Sequence, residues 1–133
     1  MGDEQTINKH SAVDKHTAVD AEIREPTFLV LAALADGRKH GYALIKEAAE
    51  MSGQRVQLKV GTLYAALDRL SQSGFVRSAG EEVVNGRLRR YFELTPEGAE
   101  VLEREAARLE SNIREARARL RTRFATPSAE ASA

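Results

Sequence analysis

Asn85-Gly86 stands between two alternating runs, Phe75 to Val84 and Arg87 to Leu94. Both central positions of a type I′ turn need positive φ, which asparagine and glycine tolerate best, so the segment is expected to close as an antiparallel hairpin. Pairing across a two-residue turn sets Val84 opposite Arg87, Glu82 opposite Arg89 and Glu81 opposite Arg90. The two glutamate–arginine pairs are expected to be cross-strand ion pairs worth about 0.2–1 kcal/mol each. Arg87 has no acidic partner in this register, which leaves it for a ligand.

Three helices are expected before the hairpin. Pro26 suits a first helical turn, and Phe28, Leu29, Val30, Leu31 and Leu34 make a helix that is apolar nearly all round and must be buried. Asp36-Gly37 ends it. A second helix is expected from about Gly41 to Ser52, with Leu44, Ile45, Ala48 and Met51 inward and Gly53 as its stop. The alternation in Arg55-Val56-Gln57-Leu58 suggests a very short strand. The third helix, about Val60 to Ser73, places Val60, Leu63, Leu67 and Leu70 on one face, and Gly74 closes it. Thr95-Pro96 then provides a cap and first-turn proline for a last helix that reaches about Phe124.

Three short helices followed by a hairpin is the order of a winged helix-turn-helix, in which the third helix enters the major groove of DNA and the hairpin reaches alongside. The expected fold class is mainly α with a small β-hairpin, a winged helix-turn-helix domain carrying a long C-terminal dimerisation helix. Residues 1–24 read as a flexible arm containing an imperfect tandem hexamer, Lys9 to Asp14 and Lys15 to Asp20. The domain covers 25–95, the dimerisation helix 96–124 and a disordered tail 125–133.

Charge supports this order once it is read locally. Twenty basic and twenty acidic residues cancel overall, but residues 37–92 hold 10 basic and 5 acidic, between acidic flanks at 1–36 (3 and 7) and 93–113 (2 and 6). Exposed charges are screened beyond about 8 Å at physiological salt, so a polyanion meets the basic middle and not the total.

On the third helix, the face opposite the apolar stripe shows Thr62, Ala65, Ala66, Arg69 and Ser73. Small and hydrogen-bonding groups let a backbone approach base edges, although an ordinary solvated helix has the same composition. Lys59, just ahead of this helix, opposes the helix dipole by about 0.3–1 kcal/mol where serine or aspartate would normally cap. A bound phosphate reverses that sign, so Lys59 and the amides of Gly61 and Thr62 are candidate phosphate contacts; the alternative is a lysine in water. On the hairpin, Arg87 and Arg89 are candidates for phosphates or the minor groove.

His40-Gly41-Tyr42, Gly61-Thr62-Leu63-Tyr64, Leu67 to Leu70, Gly74-Phe75-Val76, Gly86 to Phe92 and Leu94-Thr95-Pro96-Glu97-Gly98 together resemble the signature of the PadR family of bacterial transcriptional regulators, over about residues 26–110. The resemblance implies a dimeric winged-helix DNA-binding regulator, usually a repressor that leaves its operator when a small effector binds. It also implies that Tyr64 touches the DNA backbone with Thr62 and Lys59 beside it. The chain departs from the pattern at Lys59, where the family often has a capping serine, at Leu88, where proline is frequent, and at Phe92, where a second tyrosine is common.

The last helix repeats apolar residues at Ala99, Leu102, Ala106, Leu109, Ile113, Ala116 and Leu120, spacings of 3 and 4 in strict alternation. This heptad seam calls for another helix, and Leu102, Ala106, Leu109, Ile113, Ala116 and Leu120 are the expected dimer interface. At about 1.5 Å per residue, the 29 residues from Pro96 to Phe124 reach about 44 Å, longer than a small domain is wide. Acidic residues crowd the first part of this helix and Arg114, Arg117, Arg119, Arg121 and Arg123 its end, which suits antiparallel pairing and equally the helix's own dipole.

Other classes fit less well. Cysteine is absent, which excludes disulfides and cysteine metal sites. His10 and His16 are six apart, unlike helical zinc ligands, and with His40 they carry no catalytic motif. No enzyme activity, cofactor or metal is expected. The chain lacks a long apolar run, and a cytoplasmic protein with no membrane contact is expected. With no tryptophan and seven other aromatic residues, a stacking pocket for an effector is not evident. The rival reading is a winged-helix adaptor that binds protein and not DNA.

Overall fold

The computed structural model describes residues 23–125. The expected arm, apart from Ile23 and Arg24, and all but the first residue of the expected tail lie outside the described residues. Helix α1 (Glu25–Leu34) is followed by strand β1 (Lys39–His40), α2 (Gly41–Met51), α3 (Val60–Gln72), β2 (Val76–Val84), β3 (Arg87–Leu94) and α4 (Pro96–Arg123). The three strands form one antiparallel sheet in the order β1-β3-β2.

As its composition demands, α1 is the most deeply buried helix, with Val30 and Leu31 fully enclosed. They pack with Leu44 from α2, Leu63, Leu67 and Leu70 from α3, Val76 and Phe92 from the hairpin and Val101 from the start of α4. Outside this core, Arg55 forms a two-pronged ion pair with Glu25, tying the loop ahead of α3 to the first turn of α1.

The expected strand at Arg55–Leu58 does not form, and the third strand is instead Lys39–His40, between α1 and α2. Val56 and Leu58 are half-buried, so the alternation reports a real inward face. Its backbone is engaged locally, however: the Val56 amide donates to Ser52 Oγ at 2.9 Å, where a ladder would need a neighbouring strand. Two further expectations shift at helix ends. Val60 and Met51, expected inward, are exposed, Val60 as the first residue of α3 and Met51 as the last of α2.

The hairpin has the expected register, with Val84 opposite Arg87 and Glu82 opposite Arg89. Asn85 and Gly86 have φ of 52° and 76°, the turn geometry that their sequence favours. Between Ser78 opposite Phe92 and Glu81 opposite Arg90 the ladder slips, so that Ala79 and Gly80 face the single residue Tyr91. Such a bulge bends a strand and increases its twist. Arg38 is fastened to it, donating to the Ala79 carbonyl at 2.9 Å with its guanidinium 4.3 Å from the Tyr91 ring centre.

Two compact units divide the chain after Leu102. The first turns of α4 belong to the winged domain. Thr95 caps this helix by accepting from the Gly98 amide at 3.0 Å and donating to the Gly74 carbonyl at 2.6 Å. The second unit begins at Glu103 and contains the rest of α4, stapled along its length by Glu105–Arg108 and Glu115–Arg119 pairs.

Candidate nucleic-acid interface

A concavity of about 680 Å³ opens between the α2 start, α3 and the hairpin tip. His40, Gly41 and Tyr42 line one side, Tyr64 its floor, and Val84, Asn85 and Arg87 to Arg90 the other. It is built around Gly41. A Cβ there would lie 2.6 Å from the Tyr64 hydroxyl oxygen, so glycine is what lets the tyrosine ring cross the start of α2. Phe92 braces the same ring from the sheet, edge to face at 6.2 Å between centres. Tyr64 is thereby fixed with about 37% of its surface in solvent.

The α3 N-terminus is open, as the sequence suggested. Lys59 occupies the cap position, gives no side-chain capping bond and is exposed, as are Gly61 and Thr62. Arg69 and Ala65 also face solvent. Ala66 requires correction: it is buried, at 6% exposure, and does not belong to the outer face. Ala66 lies at the edge of the stripe formed by Leu63, Leu67 and Leu70, next to Leu70 around the helix, so the core-facing stripe is wider than their spacing alone implied.

Arg87, Arg89 and Arg90 are exposed. The expected ion pairs do not close even though the register is right; among the described residues none of these arginines forms a salt bridge. Instead Arg90 lies over the Phe92 ring at 5.6 Å, and Glu82 accepts from the Tyr91 hydroxyl at 3.5 Å. The hairpin therefore keeps three cations beside the concavity, where sequence alone left one.

His40, Tyr42 and Arg90 were not among the expected site residues. Tyr42 is 74% exposed at the rim. His40 caps α2, its Nδ1 accepting from the Ala43 amide at 3.4 Å, and its ring meets Tyr91 edge-on at 5.6 Å. A helix start directly after a histidine was the available signal. Burial and the nearby Arg89 charge hold the imidazole below its usual value, against the pull of Glu82. A depressed folded value means that His40 contributes stability above the unfolded pKa of about 6.5, and that this is lost as pH falls through the folded value. The melting temperature is expected to fall more steeply from pH 7 to 5 in the wild type than in His40→Asn, which keeps an acceptor at the cap but does not titrate. Parallel melting curves would remove His40 as the cause.

On the distal part of α4, Ile113, Leu120 and Phe124 are 49%, 58% and 71% exposed and Ala116 is exposed, while Leu102, Ala106 and Leu109 are half-buried. No described helix is long and apolar enough to cross a membrane.

Residues 30–104 match the model of the transcriptional regulator PadR-like family. The chain is 36% identical over 86 residues to a transcriptional regulator of Mycobacterium tuberculosis, Rv3488, a stretch covering 65% of this chain and 77% of that one. It is 49% identical over 88 residues, 64% of its length, to an uncharacterized 37.1 kDa protein in transposon TN4556 of Streptomyces fradiae, of which it spans only 24%. Its fold resembles that of Bacillus subtilis PadR solved in complex with operator DNA, with TM-score 0.55, 23% identity and coverage of 62% of this chain and 47% of that one. A family match across more than half of the sequence, on a winged-helix framework, shows that this chain is a member of the transcriptional regulator PadR-like family.

Proposed function

We propose that this protein is a homodimeric repressor that binds operator DNA through α3 and the wing and leaves it when a small effector binds, with no catalytic role. The observation that carries the DNA reading is the concavity with Tyr64 at its floor and Arg87, Arg89 and Arg90 along its wing side, three cations without salt-bridge partners among the described residues. Such a surface tracks a phosphate backbone. Lys59 and the free amides at the start of α3 take one phosphate, Thr62 and Arg69 face base edges, and Arg87 and Arg89 reach across to the adjoining groove. The exposed stripe of Ile113, Ala116 and Leu120 supports dimerisation through α4, which sets two recognition helices on half-sites about 34 Å apart.

Fluorescence anisotropy with a duplex from the gene's own upstream region and a scrambled duplex tests this directly. The upstream duplex is expected to bind tightly, and the scrambled one weakly with steep salt dependence. Arg87→Ala is expected to lower the salt slope by about 0.9, because one phosphate is no longer neutralised. Absence of binding to either duplex at low salt would favour the adaptor reading.

A further inference from the structure

Val83 and Leu88 are partners one rung inside the Asn85-Gly86 turn, and they are 69% and 59% exposed. Because side chains alternate along a strand, Leu88 shares its face of β3 with Arg90 and Phe92. Phe92 is buried and meets Tyr64 of α3, so this is the face turned toward the recognition helix. Arg87 and Arg89 project from the other face. The wing tip is therefore a two-sided blade, with an uncovered aliphatic pair on one side, Arg90 and Glu81 next along it, and Arg87 and Arg89 on the other side with Glu82.

A minor groove is complementary to this arrangement. It is about 6 Å wide, has phosphates along both lips and is walled by the carbon faces of deoxyribose. Aliphatic side chains of minor-groove binders wedge there against sugars and base steps, with cations holding the lips. A wholly apolar protein surface would leave three guanidinium groups unpaired within two rungs of the pair. Resting on the DNA-binding reading above, we propose that Val83 and Leu88 form an apolar wedge that the wing sets into the minor groove beside each half-site. The wedge supplies the uncharged part of the wing's affinity.

The test separates this part from the charged part. Val83→Thr, Leu88→Ser and the double variant are titrated by anisotropy against the upstream duplex at several salt concentrations, with Arg87→Ala alongside. The double variant is expected to bind about tenfold more weakly, because less apolar area is removed from water, with an unchanged slope of log affinity against log salt because every cation is kept. Arg87→Ala is expected to change the slope. Wild-type affinity in the double variant overturns the wedge, and so does a weakening that appears as a lower slope. Melting curves and circular dichroism verify folding; if the double variant has lost its hairpin, Val83→Thr, which keeps β-branching, decides by the same two criteria. A wild-type protein that binds no duplex overturns the DNA reading itself, a result distinct from failure of the wedge alone.

Discussion

Lys59→Asp is expected to make the protein more stable and less able to bind DNA. The cap position of α3 holds a cation that makes no capping bond and opposes the dipole of its own helix. Aspartate there accepts from the exposed amides of the first turn, a change worth about 0.5–2 kcal/mol in favour of the folded state. The same carboxylate occupies the place proposed for a phosphate. Affinity for the upstream duplex is expected to fall at least about tenfold at physiological salt, with a salt slope lower by about 0.9. Melting curves and anisotropy on one preparation measure both effects. A stabilised variant with undiminished affinity would remove the phosphate from the α3 N-terminus.

Gly98→Ala is expected to have the largest effect on folding. Alanine is ordinarily better than glycine inside a helix by about 0.5–1 kcal/mol. At this position a Cβ would lie 2.0 Å from the Phe75 carbonyl oxygen and 2.9 Å from a Leu94 methyl. The carbonyl is held in place, since it accepts from the Thr95 amide at 3.1 Å. Relief therefore requires α4 to move away from the hairpin, which breaks the Thr95 cap. Overpacking of this kind costs about 1–3 kcal/mol or more, a drop of about 4–8 °C in melting temperature per kcal/mol for a domain of this size. Gly61→Ala is the contrast: the space beside Gly61 is open, so its melting temperature is expected to hold or rise. Equal responses at the two glycines would refute the close approach as the reason for Gly98.

The elements legible in the sequence were those whose signals are local. Asn85-Gly86 fixed the turn and hence the pairing of every residue out to Glu81 and Arg90, and the apolar run at Phe28–Leu34 identified the central helix. The two-residue strand at Lys39–His40 had no signal of its own, because it exists only through Tyr91 and Phe92, some fifty positions away. Ala66 was misplaced for a different reason: alanine suits either side of a helix, so only the packing around Leu63 and Leu67 decides its direction. The candidate site was half legible. Lys59 and Arg87 were recognisable as misfits in their local context and Gly61 and Thr62 as the amides beside Lys59, whereas His40 and Tyr42 join them only after Gly41 admits the Tyr64 ring. The open arginines were hidden by a correct register, since facing charges on a ribbon need not turn toward each other.

The bulge at Ala79-Gly80 has a bearing on how such a wing can change. It absorbs the mismatch between the two strands near the sheet's base, so the rungs beyond it are counted from the turn alone. Two residues added at the turn, one on each strand, would extend the blade by one rung and leave the inner rungs paired as they are. A single added residue on β3 would exchange the sides, sending Arg87 toward α3 and Leu88 away from it. Wing length is thus free to drift only in paired steps, and parity, more than length, sets which chemistry the hairpin offers to its groove.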